Sequence, residues 1–177
     1  CNEHGGTVLN ASIKLNGNLP IEVCIKKIPT KSIILESVDS GQSTEILDTC
    51  EIQNCNNPFD PYSLHKSALL TCGIVPISEN IPLSTILDNL GGGFYLSTRV
   101  IDIPRGSGLG TSSILAGACI KAIFSFIGKP IEDNELFQRV LIMEQLMSTG
   151  GGWQDQVGGV TNGIKFITTQ AGLKQNI

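Results

Sequence analysis

The 177-residue chain reads as a mixed domain of strands followed by helices, on three observations. Alternating β-branched runs dominate the first hundred or so residues. Two helical periods occupy 111–126 and 133–147. Glycine is unevenly spread, with 15 of the 20 glycines after residue 88, where they separate the helices as loops.

Each element follows from local pattern. Residues 7–15 alternate, Asn16-Gly17-Asn18 supplies turn residues, and 20–28 resumes with Ile21, Val23 and Ile25 spaced by two, which predicts a β-hairpin. A third strand is expected at 32–38, whereas 41–57 is polar, weakly periodic and expected to be largely loop. A helix is expected over 60–72, with Leu64, Ala68 and Leu69 on one side. Pro82 opens a short helix over 83–90 that Gly91-Gly92-Gly93 stops. A strand over 94–103 runs into Pro104. The helix at 111–126 repeats Leu115, Ala118, Cys119, Ala122, Ile123 and Phe126 at helical spacing. The helix at 133–147 aligns Leu136, Val140, Met143 and Met147, and a loop over 148–156 leads to a closing strand near 163–169.

Composition excludes several classes of function. Hydrophobic residues make up 41% and charged residues 16%, a globular rather than a disordered balance. A net charge of −4 leaves no basic footprint for a phosphate backbone, so nucleic acid is not an expected partner. The longest apolar stretch, 114–127, is broken by Lys121 and too short to cross a bilayer, and no signal-peptide pattern is present. The six cysteines form no C-x-x-C pair and read as reduced thiols of a cytoplasmic protein. Asn10-Ala11-Ser12 matches a glycosylation sequon within a strand-like run and is read as chance. A start without Met and glycine gathered in one half suggest part of a longer protein.

The chemistry concentrates in Pro104, Arg105, Gly106, Ser107, Gly108, Leu109, Gly110, Thr111, Ser112 and Ser113, between an expected strand and an expected helix. A helix N-terminus presents unpaired N–H groups and a positive dipole end, and spaced glycines let backbone approach an anion. The three hydroxyls can cap those N–H groups or hold a metal carried by phosphates. No Gly-Lys-Ser/Thr follows, and Thr111 stands where a dinucleotide fingerprint needs glycine, so neither familiar phosphate loop fits. The plainer alternative is an ordinary Thr/Ser-capped turn. Two carboxylates lie downstream. Glu144 sits at the edge of an apolar helix face, where it is either solvated or paired, a divalent cation being one partner. Asp155, after Gly150-Gly151-Gly152-Trp153-Gln154, is either a turn residue or a carboxylate held beside a substrate hydroxyl.

The run from Pro104 to Ser113 resembles the nucleotide motif of the GHMP kinases, the superfamily of galactokinase, homoserine kinase, mevalonate kinase and phosphomevalonate kinase. The resemblance implies an α+β fold, the GHMP kinase N-terminal ATP-binding domain (like ribosomal protein S5 domain 2) over residues 1–177, as a fragment lacking most of the C-terminal subdomain. It implies that the loop wraps the phosphates of ATP, that Ser112 and Glu144 hold Mg²⁺, and that Asp155 is the catalytic residue. Thr111 replaces the family's more usual Ser, and Ser113-Ile114 replaces a small Ala pair, which affects packing behind the loop. The stretch from Glu3-His4-Gly5-Gly6 to Asn10 and the stretch from Gly151 through Trp153 and Gln156 to Gly159 are similar to L-fucokinases and to the fucokinase part of bifunctional fucokinase/fucose-1-phosphate guanylyltransferases; heptose kinases share parts of both. That similarity implies L-fucose as the substrate, phosphorylated at its anomeric hydroxyl, with Glu3, His4, Gly152, Trp153 and Gln156 near the sugar. Trp153 either stacks on the sugar or packs its loop onto the core. The family's first motif is expected before Cys1 and its third after Ile177. A heptose or other sugar kinase, a non-catalytic sugar- and ATP-binding regulator, and a purely structural domain are the competing readings.

Overall fold

The computed structural model describes residues 4–104, 106–148 and 153–172. Its strands form two separate sheets. Strands β2 (Ile21–Ile28), β3 (Ile33–Ser37), β4 (Gln42–Ile46) and β5 (Gly93–Val100) form one sheet in the order β2-β5-β3-β4. Only the central β3–β5 pair is parallel, with Leu35 opposite Leu96. Strands β1 (Gly6–Ala11) and β6 (Ile164–Thr169) pair antiparallel in a two-stranded sheet, with Leu9 opposite Phe166.

This pairing replaces the expected hairpin. Asn16-Gly17-Asn18 does turn the chain, and Leu15 and Asn18 exchange two backbone bonds of 2.9 Å. The ladder goes no further, because β1 has already ended at Ala11 and β2 starts only after Pro20, which has no N–H to give. Val8 instead packs with Ile167 and Trp153 in a small second core. The expected loop at 41–57 also contains structure: β4, then α1 (Thr49–Gln53). A capping box starts α1, with Asp48 accepting from Cys50 N–H at 3.0 Å and Glu51 accepting from Asp48 N–H at 3.1 Å.

Helices cover one face of the large sheet, where Ile33, Leu35, Phe94 and Leu96 are buried. Helix α2 (Ser63–Thr71) rests on β3 and β5 through His65, whose Nε2 lies 3.1 Å from the Glu36 carbonyl and 3.1 Å from Thr98 Oγ1. Helix α3 (Leu83–Leu90) has the expected limits, and Gly91 at φ +77° ends it in the left-handed conformation. Helix α4 (Thr111–Phe126) packs on β2, and α5 (Asp133–Leu146) packs on α2 and α4. The face of α4 differs from the expected stripe. Ala116, Cys119, Ile120, Ile123 and Phe124 are buried, while Leu115, Ala118, Ala122 and Phe126 are only half-buried. The helix is apolar nearly all round, so its orientation is set by the elements packed against it rather than by its own sequence.

The expected loop at 148–156 needs the largest correction. Its end is the start of α6 (Trp153–Val160), so Asp155 and Gln156 are helical. Trp153, Gln156 and Val157 are buried at spacings of three and four, and burial of that face makes a helix of a glycine-poor first turn. Among the described residues, no helix is long and apolar enough to cross a membrane.

Candidate functional site

The glycine loop and the first turn of α4 line a cavity of about 510 Å³. Its other wall is apolar, made by Leu64 from α2, Val100 at the end of β5, Ile103 and Leu115. Among the described residues, Asp39 and Asp155 supply its carboxylates. Asp39 follows β3 and accepts the Val100 N–H with both oxygens at 3.0 Å, tying the parallel strand pair together at the cavity rim.

Gly110 occupies the N-cap of α4 at φ +66° and ψ +20°, and among the described residues no side chain caps the helix. Its first N–H groups thus remain available beside the glycine loop, the arrangement that receives an anion. Thr111 Oγ1 is buried without a hydrogen-bond partner, and Ser112 is exposed on the cavity wall. Asp155, on the first turn of α6, comes directly over this point. A Cβ placed on Gly110 would lie 3.2 Å from Asp155 Cβ and Cγ and 3.3 Å from its Oδ1. Glycine at 110 therefore serves twice, as a left-handed residue and as the gap into which the carboxylate fits.

Behind the cavity, Glu144 is buried, with 6% exposure. The Ser113 hydroxyl donates to its Oε1 at 2.5 Å, and the Gln156 side-chain amide donates to its Oε2. Ser113 rather than Ser112 thus reaches Glu144, a contact that depends on the Ser113 hydroxyl. The bulk of Ile114 has its own accommodation: a Cβ on Gly159 would lie 2.5 Å from Ile114 Cγ1, so α6 approaches α4 only because that residue is glycine.

The expected sugar contacts are redistributed. Gln156 is 1% exposed and turned toward Glu144, away from the cavity. Trp153 is also 1% exposed, packed with Val157 and Ile167 and supported by Val8 and Phe137. Its ring takes the core alternative, leaving no face for a sugar to stack on. His4 is exposed in the turn before β1. Glu3, Arg105 and Gly152 lie outside the described residues. The structure thus brings Pro104, Gly106, Ser107, Gly108, Leu109, Gly110, Thr111, Ser112, Ser113 and Asp155 to one cavity. The sequence does not single out Asp39, Leu64, Val100, Ile103 or Leu115 for the cavity; the β3–β5 pairing and the packing of α2 and α4 bring them together.

Magnesium can be tested against these donors. Hydroxyl and carboxylate oxygens suit a hard cation that draws most of its ligands from phosphate and water. Ser112, Asp155 and the inner Glu144 are donors of that kind, though among the described residues no group of three or more His, Cys, Asp or Glu side chains could hold a metal unaided.

Comparison with known proteins places the architecture. Residues 77–163 match the GHMP kinases N terminal domain. The chain is 42% identical over 176 residues to the L-fucokinase/L-fucose-1-P guanylyltransferase of Bacteroides fragilis, covering 97% of this chain and 18% of that protein. It is 43% identical over 176 residues to the bifunctional fucokinase/GDP-fucose pyrophosphorylase of Arabidopsis thaliana, covering 99% and 16%. The chain therefore spans less than a fifth of the length of these two relatives. Among solved structures, it aligns with a heptose 1-phosphate kinase from Bacteroides thetaiotaomicron at TM-score 0.67 and 23% identity, covering 97% of this chain and 51% of that one. It aligns with the mevalonate kinase of Methanococcus jannaschii at TM-score 0.63 and 25% identity, covering 83% and 44%. Sequence motif, fold and comparisons agree: residues 77–163 of the chain carry the N-terminal domain of the GHMP kinases.

Proposed function

We propose that this chain is the nucleotide-binding part of a cytoplasmic sugar kinase that transfers the γ-phosphoryl group of ATP to the anomeric hydroxyl of L-fucose. The observation that carries the reading is Asp155, set against Gly110 at the uncapped N-terminus of α4 within the cavity. Amides of the glycine loop and of the first turn of α4 hold the phosphates, while the apolar wall suits the nucleoside. Asp155 orients the sugar hydroxyl and accepts its proton as the sugar oxygen bonds to phosphorus and ADP departs. Ser112 and Glu144 are the residues that would hold Mg²⁺, which when bound neutralises charge on the transferred phosphoryl group. A carboxylate oxygen accepts more than one contact, so Glu144 can take a cation while it keeps the bonds from Ser113 and Gln156. The choice of L-fucose rests on the two fucokinase relatives.

A second reading is a heptose kinase, favoured by 29% identity over 169 residues to the D-glycero-alpha-D-manno-heptose 7-phosphate kinase of Campylobacter jejuni. ADP release by the full-length protein on a panel of free sugars and heptose phosphates separates the two. L-fucose is expected to support turnover; ADP release with a heptose substrate and none with L-fucose overturns the assignment. Asp155→Asn is expected to reduce turnover at least 10²-fold with ATP affinity retained, and unchanged turnover removes Asp155 from its role.

A further inference from the structure

Asp155 and Gln156 are neighbours on α6 with opposite destinations. One side chain enters the cavity; the next, about 100° round the helix, enters the core. Helix α6 is eight residues long and contains Gly158 and Gly159, so little of its order comes from its own propensity. What fixes its rotation is side-chain anchoring, and the polar anchor is Gln156. Its amide donates to Glu144 Oε2, while Ser113 on the first turn of α4 donates to Glu144 Oε1. All three side chains are buried, at 5%, 6% and 1% exposure for Ser113, Glu144 and Gln156. The Glu144 carboxylate thus joins the first turn of α4, which borders the phosphate loop, to the first turn of α6, which bears Asp155.

We infer that Ser113, Glu144 and Gln156 form a buried strut in which Gln156 is a positioning residue for Asp155, holding its carboxylate over Gly110, and is not a sugar contact. The inference rests on the kinase reading above. It assigns Gln156 a role in catalytic geometry and none in sugar affinity. Rotation of α6 by a small angle moves Asp155 relative to the phosphate loop, and displacements of about 1 Å cost about 10²-fold in rate.

The test uses the full-length kinase with Gln156→Met, which keeps side-chain length and removes the donor, and Ser113→Ala, a milder change at the other end of the strut. Gln156→Met is expected to lower kcat about tenfold or more with KM for sugar and ATP within twofold, and Ser113→Ala to lower kcat by about threefold. In an Asp155→Asn background, Gln156→Met is expected to change the residual kcat by less than twofold, because the residue it positions is already disabled. Hydrogen exchange over 153–160 is expected to rise in both variants. A raised sugar KM overturns the inference in favour of direct contact. A lowered melting temperature with kcat per folded enzyme unchanged overturns it in favour of a purely structural role. If Gln156→Met does not fold, Ser113→Ala decides: unchanged kcat and unchanged exchange overturn the strut. If the wild type turns over no sugar, the kinase reading fails, and unchanged exchange in α6 then overturns the strut separately.

Discussion

Replacing Gly110 with alanine perturbs the site in two ways that can be separated. Its φ of +66° lies in the left-handed region, where a Cβ costs roughly 1–2 kcal/mol. The new Cβ also meets Asp155 Cβ and Cγ at 3.2 Å and Oδ1 at 3.3 Å. Ordinary contacts lie between 3.4 and 4 Å, so Asp155 must retreat by a few tenths of an ångström, about 0.5 Å to reach the middle of that range. Since about 1 Å of misplacement costs about 10²-fold, half that shift corresponds to about tenfold in kcat, or about 1.4 kcal/mol of barrier. Gly128 provides the control: it has φ +70° with open space around its Cβ position. Gly128→Ala is expected to incur the strain without the contact. Both variants of the full-length protein should lose about 2–8 °C in melting temperature. Only Gly110→Ala should lose kcat, measured by ADP release at saturating sugar and ATP. Equal kcat in the two variants would refute the claim that Gly110 makes room for the aspartate.

Gly159→Ala places a Cβ 2.5 Å from Ile114 Cγ1 and is expected to destabilise the fold by about 1–3 kcal/mol; adding Ile114→Ala should recover most of the lost melting temperature, and no recovery would break the pairing of these two positions. Burial lowers the pKa of His65 to about 4, and its Nε2–H is directed at the Glu36 carbonyl, which can only accept. The folded pKa lies below the unfolded value of about 6.5, so this contribution is complete above pH 6.5 and is lost as pH falls toward 4, amounting to about 2 kcal/mol between pH 7 and pH 5. His65→Gln should flatten that part of the melting-temperature profile; an unchanged acid slope would assign the loss to other groups.

Some elements were legible from sequence because their signals are local. Helix α4 begins after Gly110 and α3 ends at Gly91 because glycine at helix ends leaves a mark that needs no tertiary contact. Spaced glycines followed by hydroxyls likewise mark, in the sequence alone, the loop that lines the cavity. The capping box at Asp48 and Glu51 was present in the sequence too, masked by the weak periodicity around it.

What the sequence by itself determined was the set of candidate groups: the loop ending in Gly110, the hydroxyls of Thr111 and Ser112, and the carboxylates Glu144 and Asp155. Tertiary structure decided which of them meet. Strand β1 pairs with β6, more than 150 residues away, and no local turn signal encodes that partner. Trp153 and Gln156 were candidates for the sugar and proved to be core, because a helical rotation that sends Asp155 into the cavity sends its neighbours inward. Glu144 met Ser113 rather than Ser112 for the same geometric reason: side chains one residue apart on a helix point about 100° from each other, and only packing chooses which one faces the buried carboxylate.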